Sequence, residues 1–299
     1  MKILRTPEER FASLPAFPFE PHYAETSEGI RVHYLDEGPP DAPPVLLLHG
    51  EPSWSFLYRT MIPVLVGAGH RCVAPDLVGF GRSDKPSEQG DYTYQRHVDW
   101  MDEIVFGHLD LRGIAYFGQD WGGLIGLRLV ARQPARFTRV VVGNTGMPTG
   151  DQQLSEAFGQ WQTFARESPV FPIGEIVANG CATRPGDDVI AAYDAPFPDD
   201  TYKAGARAFP SLVPTSPDDP AHEANTEAWQ VLRAFDRPFL CAFSDGDPIT
   251  RGGERQFIGR VAGTADQPHT TIAGAGHFLQ EDKGPELARV IAEFMSRTA

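Results

Sequence analysis

The sequence predicts an α/β fold in which helices flank a mostly parallel β-sheet. Short apolar runs bounded by turn residues alternate along the chain with longer stretches of helical hydrophobic period, and this alternation is typical of β-α-β units. The runs from residue 44 onward are mostly apolar on both faces, as expected of parallel strands that are covered by helices. A length of 299 residues leaves room for one large α/β domain or two small ones.

The predicted elements follow one another in a regular order. The strands are expected at RVHYLDEG, PVLLLHG, RCVAPD, IAYFGQD, RVVVGN, PFLCAFSDGD and HTTIAGAGH. The helices are expected at Trp54 to Gly67, Tyr94 to His108, Gly122 to Gln133 and Pro285 to Arg297. Each of these helices stands between two strands or after the last one, so helices can cover both faces of the sheet.

The alternation stops between Met147 and about Trp229. Proline and glycine are frequent there, and helical segments such as Gln152 to Ala165 follow one another without intervening strands. We interpret this region as a helical cap inserted into the sheet domain, because the later strands need the earlier sheet for pairing; a separate domain joined by linkers is the alternative. The predicted division is a first core segment at 1–146, a cap at 147–229 and a second core segment at 230–299. A lid of this size would cover a site at the carboxyl ends of the strands.

The charge balance and the cysteines limit the classes of partner. Asp and Glu number 40 and Lys and Arg 26, a formal net charge of −14, which argues against nucleic acid or an anionic membrane as partner. A small neutral substrate is compatible with this charge. Cys72, Cys181 and Cys241 are far apart and in no metal-ligand spacing, so they indicate a reducing compartment and neither a disulfide framework nor a zinc site.

The start of the chain shows no sign of export. The stretch MKILRTPEERFASLPAFPFEP becomes charged and proline-rich before a long apolar region can form, so it does not predict a secretory signal. No uninterrupted apolar run in the sequence is long enough to span a bilayer. We therefore expect a cytoplasmic protein.

A tight turn after the strand IAYFGQ carries the first chemical signal. The stretch AYFGQDWGGLIG, from Ala115 to Gly126, is typical of a buried strand that passes through a glycine-flanked corner into a helix. Its centre, GQDWG, has the G-x-S-x-G spacing of a nucleophile elbow, with Asp120 where serine usually stands. Such a corner pushes one side chain above the sheet, so Asp120 is the predicted nucleophile.

Two further polar residues follow strands, in the order nucleophile, acid, histidine. His277 ends TIAGAGH, where a Gly-Ala-Gly turn can project it over the sheet, and it is the predicted base. Asp247 and Asp245 both close the preceding strand; we favour Asp247 as the acid that fixes the His277 tautomer and keep Asp245 as the alternative. The other plausible position for the acid, after the strand RVVVGN, holds Asn144, which cannot carry the charge.

A carboxylate nucleophile selects the class of substrate. It attacks carbon to form an ester, which water activated at a base must then hydrolyse. The expected substrate is therefore an alkyl carbon that bears a leaving group. Trp121, adjacent to Asp120, has an indole N–H that is a donor without negative charge, so it can stabilise a departing anion. A packed core tryptophan is the alternative interpretation.

The loop in LLLHGEPSWSFLYR supplies a second set of groups. The backbone N–H of Glu51, together with that of Trp121, is expected to form an oxyanion hole for the tetrahedral intermediate of ester hydrolysis. His49 is expected to build the turn, and Trp54 is expected to pack in the core. The sequence assigns no role to the Glu51 side chain.

Together these motifs resemble the haloalkane dehalogenases of the α/β-hydrolase superfamily. The resemblance is carried by HGEPSWSFLYR, PDLVGFGRSDKP, GQDWGG, YDAPFPDDTYKAGARAFPSLVP and GAGHF. PDLVGFGRSDKP is typical of the whole superfamily, whereas HGEP with QDWGG is more specific. The resemblance implies the α/β-hydrolase fold with an inserted helical cap. Glutamate after His-Gly also resembles the subgroup whose second halide donor comes from the cap and whose acid follows the later strand, in agreement with Asp247.

The resemblance further implies a halide donor and an apolar pocket in the cap. Trp161, in FGQWQTFARE, is the best candidate for the donor, although it could also be a core tryptophan. Trp229 lies nearer the return to the core and is expected to be structural. The residues expected to line the pocket, each of which could equally belong to the cap core, are Phe158, Phe164, Phe209, Pro210 and Val213.

The sequence therefore favours hydrolysis of a small apolar haloalkane by water, with halide and alcohol as products. Asp120 is expected to displace the halide, which Trp121 and Trp161 hold. His277, oriented by Asp247, is expected to activate the water. We expect a monomer that binds neither nucleic acid nor membrane and that uses no cofactor and no metal.

Three other functions remain open on the sequence. An epoxide hydrolase can share the aspartate elbow, but it must protonate the ring oxygen, commonly through cap tyrosines, for which Tyr193 and Tyr202 are candidates. A fluoroacetate-type dehalogenase is disfavoured because Trp121 stands where that group resembles HDRG, with an arginine for a carboxylate substrate. A non-catalytic binding protein could retain the fold, although the presence of all the proposed groups argues against it.

Overall fold

The computed structural model describes residues 1–153 and 155–298; Leu154, within one predicted helix, and Ala299, at the end of the second predicted core segment, lie outside the described residues. The strands are β1 (Ile3–Leu4), β2 (His22–Glu25), β3 (Arg31–Glu37), β4 (Pro44–Leu48), β5 (Arg71–Pro75), β6 (Lys85–Pro86), β7 (Ile114–Gln119), β8 (Phe137–Gly143), β9 (Phe239–Ser244) and β10 (Thr270–Ile272). The helices are α1 (Ile62–Gly67), α2 (Tyr94–Asp102), α3 (Trp121–Arg132), α4 (Glu156–Glu167), α5 (Ile173–Gly180), α6 (Asp187–Asp194), α7 (Ala204–Ala208), α8 (His222–Ala234) and α9 (Leu279–Arg297).

Eight of the strands form one sheet in the order β10-β9-β8-β7-β4-β5-β3-β2. The strands from β10 to β5 pair in parallel, and β3 and β2 add antiparallel pairings at one edge. This is the mostly parallel sheet that the sequence predicts, so the fold class is confirmed. The predicted strands are all present, whereas β2 and the separate pair of β1 with β6 were not predicted.

Helices cover both faces of the sheet because its central strands are apolar on both faces. In β4, Val45 and Leu47 belong to the core on the side of α1 and α9, whereas Leu46 and Leu48 belong to the core on the side of α2 and α3. This division follows from the two-residue period of strand side chains. Burial on both faces explains why the run shows no polar positions.

The helices depart from the prediction mainly at their ends. The predicted helix at Trp54 to Gly67 is a 3-10 turn at Ser55–Tyr58 followed by α1. α2 continues into a π-helical turn at Glu103–His108. α9 begins before Pro285, where the prediction started it, because the chain is kinked at Lys283 (φ −137°) and the proline is accommodated there.

Helices α4 to α8 follow one another between β8 and β9. α4 begins after Ser155, whose hydroxyl caps it by accepting the Phe158 N–H; the prediction placed this start at Gln152. α8 packs against α3 of the sheet domain, and the boundary predicted after residue 229 falls inside α8. Within residues 1–153 and 155–298, no helix has both the length and the apolar character needed to cross a membrane.

Candidate active site

The candidate site lies where the strand order of the sheet reverses. β4 has β5 on one side and β7 on the other, so the carboxyl ends of β4 and β7 open a crevice between their loops. Open α/β sheets bind their ligands at this position. Glu51 follows β4 and Asp120 follows β7, and the backbone N–H of Glu51 donates to Oδ1 of Asp120 over 2.7 Å.

Asp120 stands at a strained corner between β7 and α3. Its backbone has φ 51° and ψ −128°, a combination that few residues other than glycine adopt. The corner is held because the Asp120 N–H donates to the Asn144 carbonyl (3.0 Å) and the Asp120 carbonyl accepts from the first turn of α3. A Cβ on Gly122 would lie 1.9 Å from the Leu48 carbonyl oxygen, so glycine is needed for α3 to start this close to β4.

His277 lies between two carboxylates. Its Nδ1 is 3.0 Å from Oδ2 of Asp247, and its Nε2 is 3.5 Å from Oδ2 of Asp120. Asp247 is fully buried, and its carboxylate also accepts from the Thr250 hydroxyl and the Ile249 N–H. These contacts orient the carboxylate toward the imidazole and keep a ring proton on Nδ1.

The other candidate for the acid lies elsewhere. Asp245 is exposed, and its carboxylate accepts the Gly274 N–H over 2.8 Å. Asn144, at the end of β8, donates from its amide to the His277 carbonyl over 3.0 Å. The asparagine therefore fastens the loop that carries the histidine, while Asp247 contacts the ring.

The buried charges shift the pKa values of this pair. Burial alone would lower the pKa of His277, but the charges and hydrogen bonds of Asp247 and Asp120 outweigh it and raise the pKa to about 10. Burial alone would raise the pKa of Asp247, yet His277 and the hydrogen bonds from Thr250 and Ile249 lower it to about 2. Both shifts favour the charged form of each group, an imidazolium at His277 and a carboxylate at Asp247.

Gln119 is a contact of His277 that sequence reasoning missed. Its Nε2 lies 3.1 Å from Nε2 of His277 and 3.2 Å from the His277 carbonyl oxygen, and its Oε1 accepts from the Gln280 amide. The signal was present in the sequence, because Gln119 brings a side-chain amide into the buried run IAYFGQ of β7. A buried amide needs hydrogen-bond partners, which here lie at the site.

The tryptophans differ in what their indole N–H groups contact. The indole of Trp54 donates to the Ala192 carbonyl (3.2 Å), and that of Trp229 donates to the Met147 carbonyl (2.7 Å). Both are therefore engaged with the protein framework. Neither of the two tryptophans predicted to hold halide makes such a bond within the described residues, and both line cavities beside Asp120.

Two cavities meet at Asp120, which lines both of them. The first has a volume of about 440 Å³ and is lined by Trp121, whose ring packs edge-on against Tyr94 at a centroid distance of 5.0 Å. The second has a volume of about 530 Å³ and is lined by Trp161 and His277. The structure thus places the two predicted halide donors on different cavities that share the nucleophile.

The predicted pocket residues divide in the same way. Phe158 lines both cavities, Phe164 lines the second, and Val213 lines the first. Phe209 and Pro210 are not among the described lining residues: Phe209 is buried behind Trp121, edge-on at a centroid distance of 4.7 Å, and Pro210 follows it in a 3-10 turn. In the part of the chain that the structure describes, no group of three or more His, Cys, Asp or Glu side chains could hold a metal ion.

The chain is similar to known proteins over nearly its whole length. The family model described as alpha/beta hydrolase fold matches residues 43–284. The chain is 58% identical to a haloalkane dehalogenase of Psychrobacter cryohalolentis, with 99% of this chain and 98% of that protein covered. It is 55% identical to a haloalkane dehalogenase of Mycolicibacterium paratuberculosis, with 97% of each covered. Among solved structures, the tetrameric haloalkane dehalogenase DpaA from Paraglaciecola agarilytica NO2 matches with a TM-score of 0.89 and 39% identity over 97% of each chain.

Proposed function

The chain belongs to the haloalkane dehalogenases, a family with the α/β-hydrolase fold, and from this premise we propose that it hydrolyses haloalkanes to alcohol and halide through a covalent ester on Asp120. The observation that carries the proposal is the surroundings of Asp120: His277 lies beside it on one cavity and Trp121 follows it on the other. A carboxylate displaces a leaving group from an alkyl carbon, and the resulting ester needs a base for its hydrolysis.

In the first step, Asp120 attacks the alkyl carbon and the carbon–halogen bond breaks in line with the attack. The Asp120 side chain is 22% exposed and lines both cavities, so a substrate can reach it. The Glu51 N–H holds its Oδ1 in place. We assign the leaving halide to the indole N–H groups of Trp121 and Trp161, since neither has a backbone acceptor among the described residues. Chloride and bromide are weak bases, so they leave without a proton.

In the second step, water attacks the carbonyl carbon of the ester, and Nε2 of His277 takes one of its protons. The developing oxyanion accepts from the N–H groups of Glu51 and Trp121; the latter lies at the start of α3, where the first N–H groups have no intrahelical acceptor. Collapse expels the alkoxide, which takes the proton from His277 and leaves as alcohol. The carboxylic proton left on Asp120 then passes to His277, which restores the resting ion pair.

The first step prepares His277 for the second. While Asp120 is ionised, its charge helps to raise the pKa of His277. Alkylation converts that carboxylate into a neutral ester, so this contribution disappears and burial, which lowers the pKa, has more weight. His277 can then release its proton to solvent and become the base.

An epoxide hydrolase is the competing activity, and the placement of the cap tyrosines argues against it. Tyr193 is fully buried, and its hydroxyl donates to Glu281 over 2.6 Å. Neither Tyr193 nor Tyr202 is among the described residues that line the two cavities. Neither of the tyrosines considered as proton donors for epoxide opening therefore lines the cavities at Asp120.

The remaining features of the proposal concern the cap, the assembly and the compartment. We assign α4 to α7 to the cap over the site. The groups assigned to the reaction all come from one chain, so we propose that a monomer is sufficient for activity, although the solved relative DpaA is described as tetrameric. Cys72, Cys181 and Cys241 are free thiols, which favours the cytoplasm as the compartment.

The test of the proposal is the variant His277→Phe. Since His277 acts in the second step, the variant should release about one halide per active site and then stop, as expected when a covalent intermediate cannot turn over. Mass spectrometry should find the substrate's alkyl group on the peptide that contains Asp120. A halide burst without any adduct would exclude the covalent route, and an adduct on another residue would move the nucleophile. A folded variant with neither burst nor adduct would show that His277 acts in the first step.

A further inference from the structure

The end of α5, in the cap, lies directly against the loop that carries His277. The His277 N–H donates to the carbonyl of Gly180, the last residue of α5, over 2.7 Å. A Cβ on Gly276 would clash with that carbonyl oxygen, and a Cβ on Gly180 would lie 2.6 Å from the Phe278 ring. Glycine is therefore needed at both positions for this close approach, and any displacement of the end of α5 acts directly on the backbone of the base.

The Asp282 carboxylate joins the same two segments a second time. Asp282 lies in the first turn of α9, and its Oδ2 accepts the Gly276 N–H and the Ala182 N–H, each over 2.8 Å. Its Oδ1 accepts the Thr183 N–H over 2.9 Å. Hydrogen bonds to a carboxylate are stronger than those between neutral groups, so one oxygen that accepts from both segments fixes the distance between them. Asp282 has no part in the reaction steps proposed above.

The backbone of the base is thus held from two sides. From the sheet, the Asn144 amide donates to the carbonyls of Gly276 (2.9 Å) and His277 (3.0 Å). From the other side, Asp282 and Gly180 accept the N–H groups of the same two residues. All four bonds end on the backbone, so they fix the point from which the imidazole extends. A displacement of about 1 Å at such a point can cost about 10²-fold in rate.

The segment that Asp282 holds also forms part of the wall of the second cavity. Cys181 and Ala182 line this cavity together with His277. The two steps of the reaction depend on this side of the site to different degrees. The displacement of halide uses Asp120 and the indole groups, whereas hydrolysis of the ester needs Nε2 of His277 at the water. A misplaced base should therefore affect the second step and not the first.

We propose that Asp282 is a positioning residue for the hydrolytic step: it locks the end of α5 and the residues after it to the loop of His277, and so holds Nε2 where the water attacks the ester. This inference rests on the proposed two-step mechanism. Asp282 neither touches the substrate nor exchanges a proton with it, and it acts only through the backbone around Gly276. Through this carboxylate the placement of the cap controls the placement of the base.

The test compares the two steps in variants at Asp282. Asp282→Leu removes all three hydrogen bonds. Asp282→Asn, with its carbonyl oxygen at the position of Oδ2, keeps both bonds of the bridge and loses only the one to Thr183. Thr6→Val is the matched control, because it removes another bond to the cap, from the Thr6 hydroxyl to the Pro196 carbonyl (2.6 Å). Quenched-flow mass spectrometry at a saturating bromoalkane concentration would measure the formation and the decay of the alkyl group on Asp120.

In Asp282→Leu we expect adduct formation to stay within about threefold of the wild-type rate, while decay slows by about tenfold or more, as for a displaced base. In Asp282→Asn and Thr6→Val both rates should stay close to those of the wild type. Decay at the wild-type rate in Asp282→Leu would overturn the proposal, as would an equal slowing of formation and decay. Selective slowing of decay in Thr6→Val would also refute it, since the cause would then be a general loosening of the cap. An asparagine variant as slow as the leucine variant would reject the bridge.

Folding and mechanism are controlled separately. Thermal melting would check each variant, and if Asp282→Leu is unfolded, Asp282→Ala removes the same bonds with a small side chain of high helix propensity. If the wild-type enzyme and His277→Phe form no adduct on Asp120, the two-step mechanism itself is wrong. If the adduct forms and decays normally in the leucine or alanine variant, the mechanism stands and only the role of Asp282 is refuted.

Discussion

Replacing Asp247 by asparagine should block the second step of the reaction and leave the first. The carboxylate of Asp247 accepts from Nδ1 of His277 (3.0 Å), from the Ile249 N–H (2.8 Å) and from the Thr250 hydroxyl. An asparagine that keeps the bond to Ile249 turns its amide NH₂ toward His277. Nδ1 must then accept, so the ring proton moves to Nε2, the atom that has to take the proton from water.

The size of the effect follows from the electrostatics of the buried pair. The carboxylates raise the pKa of His277 from 6.5 to about 10 in spite of burial, with Asp247 as the larger raising influence. In the Ser-His-Asp triad, the same replacement of aspartate lowers kcat by about 10⁴ through the wrong tautomer. We expect the hydrolytic step of Asp247→Asn to be slower by a similar factor.

The assay is a rapid-mixing measurement of bromide release followed by intact-protein mass spectrometry. Asp247→Asn should give a burst of about one bromide per site, as expected for a stalled covalent intermediate. Asp245→Asn is the matched control, because the carboxylate of this exposed neighbour accepts only the Gly274 N–H among the described residues, and the variant should turn over normally. A burst in Asp245→Asn with normal turnover in Asp247→Asn would refute the assignment of the acid. Loss of the burst in a folded Asp247→Asn would show that Asp247 also serves alkylation.

Three further outcomes are expected. Trp161→Phe should slow halide release by about 10²-fold, by analogy with the loss of one oxyanion donor, whereas Trp229→Phe should mainly lower the folding stability, by about 1 kcal/mol for its bond to the Met147 carbonyl. Steady-state kinetics and thermal melting of both variants check this, and slower halide release in Trp229→Phe than in Trp161→Phe would mean that the cap donor is misassigned. Bromoalkanes should react faster than chloroalkanes, and alkyl fluorides hardly at all, because no proton donor was assigned to the leaving group. Competition assays in which fluoride is released faster than bromide would contradict the mechanism. Burial would raise the pKa of Asp76, but His33 outweighs it and the pKa falls from 3.8 to about 2, so Asp76 contributes about 2 kcal/mol of folding stability above pH 3.8 that is lost as the pH falls toward 2. The free energies of unfolding of the wild type and Asp76→Asn, measured by denaturant titration, should differ at pH 7 and converge near pH 2; a difference that does not change with pH would reject this linkage.

The fold could be predicted because its signals are local and repeated. Strands such as β4 are buried on both faces, so each appears in the sequence as a continuous apolar run between turn residues. The corner at Asp120 could be predicted for a related reason, since the close approach of α3 to β4 requires glycine at Gly122. Helix ends were less predictable: a proline inside α9 suggests a helix start, but the kink at Lys283 accommodates it.

The contacts of the site could be predicted only in part, because they depend on how distant segments meet. Asp245 and Asp247 are two residues apart in one loop, and the fold of that loop decides which carboxylate contacts His277. The pocket residues of the cap were the least predictable, since an apolar residue on a short helix can face either a pocket or a neighbouring ring. Phe209 illustrates this point, as it packs behind Trp121 instead of being among the residues that line the cavities.

The difference between an aspartate and a serine at the elbow extends to the charge state of the base. A serine nucleophile is neutral and must lose a proton, so its histidine has to be uncharged at the start of the reaction. In the proposed mechanism Asp120 attacks as an anion and needs no proton removed, so His277 can rest as an imidazolium beside it, 3.5 Å away. Since alkylation abolishes the charge of Asp120, the same event that creates the ester withdraws part of the stabilisation of the imidazolium. The step that forms the ester therefore also favours loss of the proton from His277, the base that has to hydrolyse it.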